Sequence, residues 1–280
     1  MFLTEALSLP LFQRAVAAGL LVSVTCGIIG TYVVVKRMAS ISGGLSHAAF
    51  GGVGLGYMLG FSPMLGALGF CVGSAVILGM VYRHRKDSLD TLISIFWSLG
   101  MALGMLFIAL TPGYAPDLSS YLFGSIVFVP ENYLTFSFAL DVAIVLVTVI
   151  LFKEFQAVSF DEEFSEVSGI AVEAIFVFLL ALTALAVVTL IRVAGVILTI
   201  ALLTTPAVIA RQWSESLQKM MVLSTLITAG SILSGLFSAY WLSERYSVDV
   251  PTGPLIIVLV TVLYGISTAA RSATVRGRLE

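Results

Sequence analysis

Charge is scarce along this chain. Only 11% of its 280 residues are Asp, Glu, Lys or Arg, while 59% are hydrophobic and the mean hydropathy is +1.08. A soluble globular domain does not combine so little charge with so much apolar surface, so the chain reads as an integral membrane protein. The net charge of −2 provides no basic field for nucleic acid. Cysteine is nearly absent: Cys26 and Cys71 both lie within apolar runs, which argues for packing thiols and against a disulfide or a metal pair. The N-terminus lacks the basic region and small-residue cleavage site of a secretory signal, so the first apolar run is expected to be a retained span.

Catalytic signatures are missing too. No G-x-x-x-x-G-K-S/T phosphate loop occurs, nor H-E-x-x-H, G-x-S-x-G or a cysteine-rich zinc pattern. The chain is therefore not expected to be an enzyme or to hold nucleotide in a Walker A loop. His84, within RHRKD, reads as part of a basic loop cluster.

What is present is a series of long apolar runs. Residues 15–35, 44–60, 63–82, 91–110, 133–152, 171–190, 194–209, 220–242 and 254–270 are each long enough to span as helices, giving an all-α polytopic protein with about eight to nine transmembrane helices. Basic loops stay on the cytoplasmic side. With the N-terminus outside and the C-terminus cytoplasmic, eleven of the fourteen basic residues fall inside, leaving Arg14, Arg192 and Arg245 outside. The segment 118–129, flanked by Pro112, Pro116 and Pro130, is too short for an ordinary span and is expected to be re-entrant or interfacial.

The stretch 37–60, RMASISGGLSHAAFGGVGLGYMLG, holds a histidine inside a glycine-rich apolar run. His47 lies ten residues beyond Arg37, roughly 15 Å along a helix at about 1.5 Å per residue, near the midplane of a core about 30 Å thick. Gly43, Gly44, Gly51 and Gly54 share its helical face, so backbones or a small ion can approach closely there. An ionisable residue at that depth points to a pathway or ligand site; a neutral histidine bridging two helices is the competing reading. Asp141, inside the fifth run, is a second pathway candidate, against an outer-vestibule position or a pairing with a neighbouring hydroxyl. Thr204 and Thr205 before Pro206 offer oxygen ligands, or bond back to their own helix.

The stretch 153–173 is the clearest element outside the membrane. Ser159 and Glu162 fit a capping box and Gly169 a helix stop, predicting a helix over 160–168. Phe160, Phe164 and Val167 form its apolar stripe, with Asp161, Glu162, Glu163 and Glu166 beside or away from it. Such a stripe docks either on the membrane domain or in a groove of a cytosolic partner.

VVVKRMASISGGLSHAAFGGVGLGY, TPGYAPDLSSYLFGSI, FDEEFSEVSGIAV, GVILTIALLTTPAVIA and VDVPTGPLIIVL, in that order over nearly the whole chain, resemble the permeases of the ABC-3 family, the membrane subunits of zinc, manganese and iron ABC importers. The resemblance implies a single transmembrane permease domain over 1–280, with a coupling segment at 154–170 meeting the ATPase through Phe160 to Gly169. It implies a homodimer in the plasma (inner) membrane of a bacterium or archaeon, two cytoplasmic ABC ATPase subunits, and an extracytoplasmic solute-binding protein. ATP would be bound by the partner alone and no cofactor held permanently; the divalent metal ion is cargo. Tyr114 and Asp117 are expected on the face that meets the binding protein. Many family members carry aspartate four residues before the motif histidine, and here that position is Gly43. Two copies across a dimer axis would then supply two imidazoles, with water or a residue such as Asp141 completing the shell. The alternatives are a stand-alone channel or secondary transporter, with His47 and Asp141 as a relay, and an ABC permease for a metal chelate.

Overall fold

The computed structural model describes residues 6–85, 88–112, 124, 126–248 and 250–276. Among these residues ten α-helices follow one another: α1 (Pro10–Val35), α2 (Ala39–Leu59), α3 (Pro63–Arg85), α4 (Leu89–Ala109), α5 (Glu131–Ile150), α6 (Phe152–Phe160), α7 (Glu162–Val167), α8 (Val172–Trp213), α9 (Leu217–Tyr246) and α10 (Thr252–Arg276). No strand occurs among the described residues. A bilayer interior has no water to satisfy peptide groups, so a chain this apolar closes its backbone bonds within helices.

Seven of these helices, α1, α3, α4, α5, α8, α9 and α10, are long and apolar enough to cross a membrane. Two differences separate that set from the nine runs of the sequence. α2, at 21 residues, is left out because its glycines, serines and histidine dilute its hydropathy. The runs 171–190 and 194–209 are joined in one helix of 42 residues, non-helical only at Gly195 (φ 76°, ψ 167°). A straight helix of that length would extend about 63 Å. Instead α8 doubles back. The Lys36 ammonium lies 5.4 Å from the Phe176 ring near its start, and Arg211 near its end donates to the Val34 carbonyl at 3.5 Å, so both ends meet the same end of α1. Arg192, expected in a loop, is a helical residue just before the reversal.

Only glycine readily adopts the backbone angles of Gly195. A second glycine seals the reversal: a Cβ on Gly124 would lie 2.2 Å from the Gly195 nitrogen, so the two backbones touch. Beside it a 3-10 turn runs over Ile126–Phe128, with Ile126 and Val129 buried; this is the described part of the segment read as re-entrant. Tyr114 and Asp117 lie outside the described residues.

α1 is the most buried of the seven and packs against α8, α9, α5 and α2. Phe12 meets Phe237 and Tyr240 near its start, with ring centroids 5.1 and 5.6 Å away, and Tyr32 meets Phe155 edge-on near its end. There Lys36 donates to the Val158 carbonyl at 3.0 Å and pairs with Glu162, fastening α6 and α7 to the junction of α1 and α2.

The expected helix over 160–168 is broken in two. Phe160 ends α6; Asp161 is extended (φ −149°, ψ 101°) and caps α7, its carboxylate accepting from the Phe164 N–H at 2.9 Å. Ser159 is not the cap, because it lies inside α6 with a buried hydroxyl that has no partner. Gly169 does stop the helix, at φ 84°, with Ile170 N–H donating to Ser165 O and Gly169 N–H to Glu166 O in the paired bonds of a Schellman end.

Gly195→Ala is expected to destabilise the protein by roughly 1–3 kcal/mol through its backbone angles alone. Thermal unfolding in detergent checks this against Gly73→Ala, where a Cβ meets nothing within 4 Å and no loss is expected.

Candidate translocation site

α2 is held on two sides by close backbone approach. On the α4 side a Cβ at Gly54 would lie 2.5 Å from the Gly104 carbonyl oxygen, one at Gly100 2.4 Å from Ala48 Cα, and one at Gly44 2.4 Å from the Ile93 side chain. On the α3 side a Cβ at Gly52 would lie 2.0 Å from the Gly66 carbonyl oxygen, and one at Gly51 2.8 Å from the Phe70 ring. Small residues let membrane helices approach this closely, gaining dispersion contacts that lipid would otherwise make. Gly44, Gly51 and Gly54 thus bring protein, not open space, against α2. Gly43 faces Trp97 of α4, its Cβ position 3.2 Å from the ring, with Ile200 of α8 at 3.5 Å.

That packing sets His47 against α4. Its imidazole stacks on Trp97 with centroids 4.3 Å apart and planes 11° from parallel, and its Nδ1 lies 3.3 Å from the Met101 sulfur. The ring of Phe50 lies beyond, 6.3 Å away. His47 is half-buried, Trp97 is 39% exposed, and Ser94, Ser98 and Met105 are exposed farther along α4, so the group opens to the outer side of the helix pair. These contacts match the reading of a histidine bridging two helices. The sequence reasoning missed Trp97 and Met101. Their i, i+4 spacing would have placed them on one face, but not which face meets α2.

Asp141 is elsewhere. It is buried on α5, and its Oδ1 accepts from the Thr25 hydroxyl of α1 at 2.7 Å, the hydroxyl pairing weighed against a pathway role; Oδ2 has no partner. α5 packs on α1 and α8, whereas His47 faces α4, so the two candidates are not brought together. No group of three or more His, Cys, Asp or Glu that could hold a metal occurs among the described residues. Thr204 donates to the Ile200 carbonyl at 2.8 Å, the back-bond weighed against a ligand role, and Thr205 is half-buried beside it. Cys26 and Cys71 are free and buried, and Cys71 donates to the carbonyls of Leu45 and Ala184.

On α6 and α7, Phe160, Phe164 and Val167 are 65%, 66% and 88% exposed. Of the two docking readings, packing onto the chain's own membrane domain is not what the structure adopts. Asp161 is spent on the cap, and Glu163 and Gly169 are exposed.

The sequence profile of the ABC 3 transport family matches residues 8–271. The chain is 36% identical to a "Probable metal transport system membrane protein" of Chlamydia muridarum, over 92% of this chain and 88% of that protein. It is 28% identical to the manganese transport system membrane protein MntC of Listeria monocytogenes, over 95% of this chain and 93% of that protein. The solved structure of PsaBC from Streptococcus pneumoniae in complex with Fab superposes with a TM-score of 0.82 at 28% identity, covering 95% of this chain and 94% of that one.

Thr25→Val leaves a buried carboxyl oxygen of Asp141 without its donor and is expected to cost roughly 1–3 kcal/mol, whereas Thr25→Ser keeps the bond. Thermal unfolding of the two variants side by side checks the assignment.

Proposed function

The chain belongs to the ABC-3 transport family, and we propose that it is the membrane-spanning permease subunit of an ATP-driven importer of a divalent transition metal ion, zinc, manganese or iron. Two copies form the pathway. A separate cytoplasmic ATPase hydrolyses ATP, and an extracytoplasmic binding protein delivers the ion. The protein resides in the plasma membrane of a bacterium or archaeon. Counting α2 as a span and α8 as two gives nine crossings, with the N-terminus outside and the α6–α7 segment, Lys36 and the C-terminus on the cytoplasmic side.

The observation that carries this reading is the unpartnered apolar stripe of Phe160, at the end of α6, and Phe164 and Val167 on the short, acidic, well-capped α7. Three large apolar side chains in water are unfavourable by about 25 cal/mol for each Å² exposed, so such a stripe fits a groove on another protein. The Lys36 ion pair and the Val158 carbonyl bond join that stripe to α1, and Arg37, at φ 57°, joins α1 to α2 and His47. A push on α7 by the ATPase therefore has a short route to the histidine. A channel or gradient-driven carrier leaves this stripe without a role.

His47 on the open side of α2 and α4 is the pathway residue of this reading. A divalent cation cannot shed its water in hydrocarbon without replacement ligands. Asp141, Thr204 and Thr205 serve packing here, and Tyr114 and Asp117 remain the candidates for the binding-protein face.

In proteoliposomes holding the permease, its ATPase and its binding protein, metal uptake is expected to require ATP and to persist when the proton and sodium gradients are collapsed. Uptake that survives ATP removal and follows a gradient contradicts the reading. Phe164→Asp is expected to reduce co-purification of the ATPase at least about tenfold, because a charge in an apolar groove costs more than 1.4 kcal/mol. Retained co-purification removes α7 from the interface.

A further inference from the structure

His47 and Met101 form a two-donor arrangement that the packing of the helices has already built. The imidazole Nδ1 and the thioether sulfur are 3.3 Å apart, close to the separation of two neighbouring ligands on one metal ion with bonds of about 2.0–2.3 Å. Both side chains are half-buried on the open side of α2 and α4, and neither has to swing from another helix to meet the other. The stack on Trp97 fixes the plane of the imidazole at 11° to the indole, which holds the ring nitrogen beside the Met101 sulfur.

Trp97 also decides what else can join. It stands beside Gly43: a methyl carbon there would sit 3.2 Å from its ring, tighter than ordinary contact, with Ile200 at 3.5 Å. The position one turn before His47 carries no carboxylate, and a side chain there would need Trp97 to shift by a few tenths of an ångström. Nor does any cluster of three or more acidic, histidine or cysteine side chains form among the described residues. The two donors that the packing brings together here are a nitrogen and a sulfur.

Resting on the proposal that metal passes His47, we infer that Met101 is a metal ligand and that His47 and Met101, doubled by a second copy of the chain, make an N2S2 site selecting zinc over manganese. Imidazole suits zinc, copper and iron; thioether sulfur suits softer, thiophilic cations; manganese prefers carboxylate, carbonyl and water. Of zinc, iron and manganese, the first two accept both donor types and manganese favours neither, so the pair discriminates against manganese. Manganese also stands lowest in the general order of divalent affinities at such sites. One chain offers two donors, so the site is complete only across the pair. Two weak thioether ligands suit a transport site, which has to release its ion.

The test uses the permease with its ATPase in lipid nanodiscs, loaded with zinc, and reads the zinc K-edge absorption spectrum. The expected result is a mixed nitrogen and sulfur shell, the sulfur at about 2.3 Å, and Met101→Leu, which keeps the bulk against the imidazole, removes the sulfur while the nitrogen stays. Cys26 and Cys71 are fully buried, and Cys26→Ala with Cys71→Ala in the same background is expected to leave the sulfur in place. In uptake assays with radioactive zinc and manganese, the zinc-to-manganese ratio is expected to fall at least about tenfold in Met101→Leu, equivalent to about 1.4 kcal/mol. A shell of nitrogen and oxygen only, a sulfur signal that persists in Met101→Leu, or an unchanged ratio overturns the assignment. His47→Ala separates the two levels of the argument. If it abolishes uptake while Met101→Leu alters neither spectrum nor ratio, the ligand assignment fails alone; if it leaves uptake intact, the pathway reading fails with it.

Discussion

The backbone-to-backbone contact of α2 with α3 and α4 is the constraint on which the candidate site depends. Gly52 lies against Gly66, Gly54 against Gly104, and Gly100 against Ala48, at distances where no side chain fits between. In a lipid environment burial against another helix gains little from the hydrophobic effect, since the tails are as apolar as leucine, so the tightness of dispersion contact decides which helices adhere. α2 is too polar and glycine-rich to count as a span by hydropathy, and the contact with its neighbours is what holds it. The position of His47, and with it the stack on Trp97 and the approach to Met101, follows from that contact.

A second junction carries the arrangement toward the cytoplasmic side. Lys36 closes α1, pairs with Glu162, donates to Val158 and lies over Phe176, so one ammonium group joins α1, α6, α7 and the start of α8. Its side chain is only 9% exposed, and at that burial its charge requires the partners it has. Three residues on, at Ala39, the chain enters α2. One residue thus ties the exposed aromatic stripe of α6–α7 to the start of the helix that carries the histidine, although 117 positions of sequence separate Phe164 from His47.

Much of the fold was legible because a membrane reduces the choice to apolar runs of sufficient length, and all nine runs coincide with helical segments. The reversal inside α8 was not legible as such: the runs were separated, but the turn consists of one glycine, Gly195, with no loop composition around it. Ser159 and Asp161 are both good caps by residue type, and the structure uses Asp161, next to the Glu162 that pairs with Lys36 across more than a hundred residues. The site was half legible. His47 was visible as a lone ionisable residue among glycines, whereas Trp97 and Met101 look like any aromatic and any methionine of an apolar helix until the register of α2 on α4 is known. Asp141 was singled out by the same cost argument as His47, yet its hydroxyl partner sits on α1 at Thr25, which nothing in the pattern of either helix announces.

In the proposed importer the His47 face of α2 and α4 borders the pathway between two copies of the chain. Ser98 is exposed on that face, while both native cysteines are fully buried, so Ser98→Cys can be spin-labelled selectively in the assembled transporter. Pulsed electron resonance between the two labels tests the claim most directly. A short, well-defined separation that changes when the ATPase binds ATP is expected. Labels without measurable coupling, or a separation indifferent to nucleotide, would contradict it.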